Sequence, residues 1–216
     1  MVAQRLARTA EAAIVARGQF RVALAGGSTP RPAYEMLAVD RSIDWAKWHI
    51  FFSDERCVPP DDPRSNYRMV AEVLLSRIGI AAAKVHRMQG ELDPSEAAEA
   101  YEFELGNEPL DVALLGIGDD GHTASLFPGS PALEERSRLV APSMAPVEPK
   151  QRLTLTFRAL DEARSAWFLV SGEGKAAVLA EVIVERERAR PQLPAARVRA
   201  QSVEFYVDTA AAAQLS

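Results

Sequence analysis

The sequence predicts an α/β fold with a doubly wound, mostly parallel sheet flanked by helices. Short apolar runs at 20–25, 48–52 and 111–115 have the length of strands, segments with helical spacing lie between them, and a glycine-rich or charged cluster follows each run. Strands that alternate with helices are covered on both faces, and the clusters then fall at the carboxyl ends of strands, where open α/β sheets gather their ligands.

In chain order, Val2, Leu6, Ala10, Ala13 and Ile14 fall at helical spacing, so residues 2–17 form a helix that ends near Gly18. Residues 20–25 are a strand, and a helix starts at Pro30, whose missing N–H a helix start does not need. A strand at 48–52, a helix at 65–78, an extended piece at 85–88 and a helix at 95–105 lead to the strongest strand, 111–115. Further strands are expected at 139–141, 153–157, 166–170 and 203–207, with helical turns near 158–164 and a helix at 173–184. The proline-rich stretches 58–63 and 142–149 read as loops.

With 216 residues, 48% of them hydrophobic, and no repeat, low-complexity tract or Gly/Ser linker, residues 1–216 are expected to form one domain. No run of about 18 apolar residues occurs, and the first segment carries Arg5, Arg8 and Glu11 where a signal peptide would be apolar, so a cytoplasmic protein is expected. A formal charge of −5 argues against general attraction to nucleic acid or anionic membrane, so any bound anion must be held locally. No obligate protein partner is evident. Cys57 has no second cysteine to pair with, and with His49 and His86 it reads as structural.

Gly26-Gly27-Ser28-Thr29-Pro30 follows the first strand. Glycines admit an anion close to the backbone, and the free N–H groups, the two hydroxyls and the helix dipole favour phosphate. The same residues also serve as a plain turn with Thr29 as a helix cap. Asp54-Glu55-Arg56 places three charges after residue 52, either at a site or on a solvated turn. Ser65 suits the N-cap of the next helix, and Asn66 can bond a loop or a sugar hydroxyl.

The richest cluster is Gly116-Ile117-Gly118-Asp119-Asp120-Gly121-His122-Thr123-Ala124-Ser125. Its glycines match the dinucleotide fingerprint, but Asp119 and Asp120 would set carboxylates beside a pyrophosphate. No second His or Cys lies at metal-ligand spacing, so no metal is expected, and no G-x-S-x-G elbow marks a serine hydrolase. General-base chemistry remains: His122 activates water while a carboxylate such as Asp120 orients it. Arg152 and Lys175 adjoin strands, and a lysine near a helix N-terminus opposes the dipole unless an anion offsets it.

Taken in order and interval, GGSTP, SDER followed by SNY, GIGDDGHTASLFPGS and QRLTLT resemble the 6-phosphogluconolactonase family over nearly the whole chain. The resemblance implies a Rossmann-like fold and hydrolysis of 6-phospho-D-glucono-1,5-lactone to 6-phospho-D-gluconate, the second step of the oxidative pentose phosphate pathway, with no cofactor. It implies that His122 activates water, that Asp120 or Asp54 orients it, and that Arg56 stabilises the oxyanion or holds a substrate oxygen. The phosphate would lie against Gly26, Gly27, Ser28 and Thr29 with Arg152 and Lys175 as countercharges.

The related glucosamine-6-phosphate deaminases have Asp-Glu-Tyr and a Glu before Pro after the Asp-Gly-His motif. Here Arg56 and Phe127 stand at those positions, which favours the lactonase reading. The alternatives are a deaminase or isomerase on a hexose 6-phosphate, or a sugar-phosphate sensor without turnover. The family usually has a stretch before the first helix that supplies an edge strand, whereas this sequence begins almost inside the helix.

Overall fold

The structure, a computed structural model, describes residues 1–215. The chain runs α1 (Val2–Arg17), β1 (Phe20–Leu24), α2 (Arg31–Val39), β2 (Trp48–Phe52), β3 (Asp54–Arg56), α3 (Asn66–Val73), α4 (Pro94–Leu105) and β4 (Val112–Leu115). It continues through β5 (Val140–Met144), β6 (Gln151–Leu155), α5 (Phe157–Glu162), β7 (Ser165–Val170), α6 (Ala176–Arg186), α7 (Pro194–Arg197) and β8 (Ser202–Val207).

Five strands form a parallel sheet in the order β2-β1-β4-β7-β8. Alternate residues of each strand feed opposite cores, as the pleat requires. Val22, Leu24, Val112, Leu114, Trp167 and Leu169 face one core, closed by Leu6 and Ala10 of α1, Tyr34 and Leu37 of α2 and Val70 of α3. Ala23, Ala113, Leu115, Ala166 and Phe168 face the other, closed by Tyr101 of α4, Leu179 and Val182 of α6 and the second sheet. The central strands are buried on both faces, which is why they read as unbroken apolar runs rather than alternating ones.

The second sheet is antiparallel, in the order β3-β6-β5, and this revises part of the expected order. The strands expected at 139–141 and 153–157 exist as β5 and β6 but do not join the parallel sheet. Pro142 sits inside β5 rather than in a loop, opposite Leu153, and Phe157 begins α5. Asp54-Glu55-Arg56 is β3, a strand and not a solvated turn. The helix expected at 65–78 stops at Val73, because Leu74 turns to φ −125°, ψ −66° and only a 3-10 turn follows. The extended piece at 85–88 reduces to one bridge between Val85 and Ile50. Helix 173–184 divides into a 3-10 turn, Glu173–Lys175, and α6, so Lys175 is the N-cap of α6 and not part of its first turn. No helix among the described residues is long and apolar enough to cross a membrane.

Candidate active site

After β1 the chain moves outward to β2 and later returns to β4 on the other side of β1, so the strand order switches between β1 and β4. At such a switch the loops leaving the carboxyl ends diverge and leave a crevice. Two buried tyrosines fix those ends. The Tyr34 hydroxyl donates to the Ala25 carbonyl at 2.9 Å and accepts from its N–H at 3.0 Å, and Tyr101 does the same for Phe52 at 3.2 and 2.7 Å. Backbone groups that would otherwise be buried without partners at the strand ends are thereby satisfied.

A cleft of about 420 Å³ opens there. Gly26, Gly27, Ser28, Thr29, Asp54, Arg56, Asn66, His122, Arg152 and Lys175 all line it, so residues scattered over 150 positions of sequence meet at one place. Asp120 is not on the cleft wall; it stands behind His122.

The loop after β4 aims His122. Its Nδ1 lies 2.5 Å from Asp120 Oδ1, and the same oxygen accepts from the His122 N–H at 3.1 Å. A carboxylate only accepts, so the ring proton is assigned to Nδ1 and Nε2 is left with a free lone pair. The ring packs on Phe127 with centroids 4.4 Å apart, and a Cβ at Gly118 would lie 2.0 Å from the ring. Gly118 is therefore required for this close approach, more than for any dinucleotide. Between His122 and Ser125 the chain turns tightly, with Ala124 at φ +47°, a left-handed conformation that costs an alanine about 1–2 kcal/mol. The turn is held by the Thr123 hydroxyl on the Gly116 carbonyl (2.9 Å) and by the Ser125 N–H on Thr154 Oγ1 (3.1 Å).

Asp54 has other partners. Its carboxylate accepts from Ser125 Oγ at 2.6 Å and from the Asn66 amide at 3.1 Å, and it makes no hydrogen bond to His122 among the described residues. Of the two carboxylates expected to orient the histidine, only Asp120 does so. Asn66 Oδ1 is buried without a partner, beside Gly26, where a Cβ would sit 1.8 Å from it. The next residue, Glu55, is buried and accepts from Ser65 Oγ and from the backbone N–H groups of Arg56, Asn66 and Tyr67. Burial raises its carboxyl above the usual range, and the three N–H bonds partly offset that. It ties β3 to the start of α3, whose N-cap is Ser65, as expected.

Arg56 and Arg152 are direct cross-strand partners on β3 and β6, both on the cleft wall. Like charges placed opposite one another repel, and neither forms an ion pair with a carboxylate among the described residues. Arg56 bonds the Arg64 carbonyl and Arg152 the Pro149 carbonyl. Burial, and then the charge of Arg56, lowers the Arg152 guanidinium from its ordinary value. Such a pair is a ready receptor for an anion. Thr29 does not cap α2, which has no side-chain cap; its hydroxyl meets Ser171 Oγ across the cleft at 3.1 Å. Lys175 lies on the wall with Nζ 2.5 Å from Asp119.

The sequence reading gave no role to Ser125, Ser53, Ser171 or Glu55, which line or brace the cleft. Ser125 and Glu55 lie inside runs already singled out, but only the fold brings Ser125 onto Asp54, 71 residues away. Ser53 bridges from the end of β2 to the Leu114 carbonyl at 2.8 Å, a contact with no local sequence signal.

Comparison with known proteins agrees with this arrangement. The family described as glucosamine-6-phosphate isomerases/6-phosphogluconolactonase matches residues 1–207. A 6-phosphogluconolactonase of Synechocystis is 42% identical over 199 residues, covering 88% of this chain and 81% of that protein, and one of Homo sapiens is 39% identical over 230 residues, covering 100% and 88%. The crystal structure of 6-phosphogluconolactonase from Thermotoga maritima superposes with a TM-score of 0.85 at 36% identity, covering 95% of this chain and 93% of that one. With the family match running over residues 1–207, the chain belongs to the glucosamine-6-phosphate isomerase/6-phosphogluconolactonase family.

Proposed function

We propose that residues 1–216 act as one cytoplasmic sugar-phosphate hydrolase domain that converts 6-phospho-D-glucono-1,5-lactone to 6-phospho-D-gluconate, on a free small molecule and without nucleic acid or membrane. The observation that carries this reading is His122, backed by Asp120, on the same cleft as the Gly26–Thr29 loop and three cations. The named relatives support the substrate.

In this mechanism the phosphate binds against Gly26, Gly27, Ser28 and Thr29 with Arg152 and Lys175 as countercharges, which holds the lactone ring over His122. Nε2 takes a proton from water as the water oxygen bonds to the lactone carbonyl carbon. Asp120 keeps the ring oriented and stabilises the imidazolium that forms. Arg56 faces the negative charge that develops on the carbonyl oxygen. The carbon to ring-oxygen bond then breaks, and that oxygen recovers the proton from Nε2. Asp54, fixed by Ser125 and Asn66, contributes a second carboxylate on the wall.

The deaminase alternative needs an acid where Phe127 stands. Phe127 instead packs on the His122 ring. The test is lactone opening with substrate made in situ by oxidising glucose 6-phosphate, measured against spontaneous hydrolysis. Acceleration by the wild type that disappears in His122→Ala is the expected result. No acceleration by folded wild type rejects the reading, and ammonia release from glucosamine 6-phosphate would then identify a deaminase.

A further inference from the structure

Among the described residues, Lys175 is the only one of the three wall cations with a carboxylate partner. That partner, Asp119, is 89% exposed on its side chain, lies off the cleft wall, and has no other hydrogen bond from its side chain among the described residues. Its neighbour Asp120 is committed to His122, so the two adjacent carboxylates divide between the base and the cation. A carboxylate oxygen 2.5 Å from Nζ occupies the kind of position that a phosphate oxygen takes on a lysine. Both oxyanions cannot hold the same N–H donors at full strength.

We propose that Asp119 is a built-in competing anion for Lys175, which the substrate phosphate must displace, so that Asp119 sets affinity for the phosphorylated substrate and not the rate of the chemical step. This rests on the reading of Lys175 as a phosphate countercharge. The ion pair keeps the lysine folded onto the rim when no phosphate is bound. It also weakens every anion that binds through Lys175 by the same factor.

The test is a double-mutant cycle of Asp119→Asn and Lys175→Ala, read by kcat and KM for the lactone and by competitive inhibition with inorganic phosphate, with Glu173→Gln as a control for loss of a nearby charge. An exposed pair is worth little, so Asp119→Asn should lower KM and the phosphate inhibition constant by about two- to fivefold with kcat unchanged. That gain should vanish in the Lys175→Ala background, and Glu173→Gln should not reproduce it. If Lys175→Ala alone moves neither constant, the phosphate reading of Lys175 fails and this proposal with it. If Lys175→Ala weakens both constants but Asp119→Asn tightens neither, the phosphate reading stands and the competing-anion proposal is overturned. A gain from Asp119→Asn that persists without Lys175 would also overturn it, since it would then be a general effect of charge.

Discussion

The protein carries histidines in two contrasting surroundings. His122 stands at the carboxyl end of the parallel sheet, with a carboxylate 2.5 Å from Nδ1 and Nε2 left open to the cleft. His49 lies on β2, its Nδ1 3.1 Å from His86 Nε2 and its Nε2 2.7 Å from Lys84 Nζ. Burial first, and then the charges of Lys84, His86 and Arg21, push His49 down to about 4, with Glu108 opposing them weakly. His86 in turn stacks on Phe51 at 4.3 Å and bonds Glu104. His49 is therefore penalised if it takes a proton. Surroundings, not the residue type, separate a ring open to the cleft from one packed among its neighbours.

The sharpest break of this comparison is to remove each ring in turn. His122→Ala should lower kcat by about 10²–10⁴-fold, the usual span for a general base, while KM stays near its wild-type value. His49→Gln should leave kcat where it was. Equal losses from both substitutions, measured on the same lactone assay, would show that the cleft does not set the chemistry. The second effect is smaller. Asp120→Asn keeps an acceptor beside Nδ1 but loses the carboxylate charge, so kcat should fall, though less than in His122→Ala. Asp54→Asn, whose partners are Ser125 and Asn66, should lower kcat less than Asp120→Asn; equal losses would mean that the division of labour between the two carboxylates is wrong.

The same contrast explains what sequence could and could not reveal. The parallel strands were legible because apolar runs such as 112–115 are buried on both faces and leave no polar alternation to confuse them. The His122 loop was legible because its polar residues are contiguous. The antiparallel sheet was not: β3 consists of three charged residues, and it is a strand only because β6 pairs with it from nearly 100 positions away. Asp54 could not be separated from Asp120 as the histidine's partner for the same reason, since Ser125 reaches Asp54 only through the tertiary fold. Neither tyrosine hydroxyl gave a signal. Tyr101 reads as an apolar position of α4, yet it serves the backbone of Phe52, 49 residues earlier.

That tyrosine gives the third effect, because β2 runs from the His49 surroundings at its start to the cleft at its end. Tyr101→Phe removes a hydroxyl that satisfies both backbone groups of Phe52, and burying those groups unpaired should cost about 1–3 kcal/mol of stability. Urea unfolding would read this as a lower midpoint with an unchanged slope. A midpoint equal to wild type would mean that water or a shifted backbone replaces the hydroxyl, and that the strand end is not held as described.

The smallest effect tests the His49 side of the comparison directly. Its folded pKa, about 4, lies below the ordinary 6.5, so as pH falls the unfolded chain takes up the proton first. Stability contributed by neutral His49 is therefore complete above about pH 6.5 and is lost as pH falls from there toward 4. His86 is lowered as well, chiefly by burial, and adds to the same slope despite its bond to Glu104. Solvent screens the partly exposed ring, so the change is modest. Urea midpoints recorded from pH 7 to pH 4 should decline less steeply in His49→Gln than in the wild type. Parallel curves would mean that water reaches the ring and Lys84 moves away when His49 is protonated, and that burial does not hold the ring neutral as described.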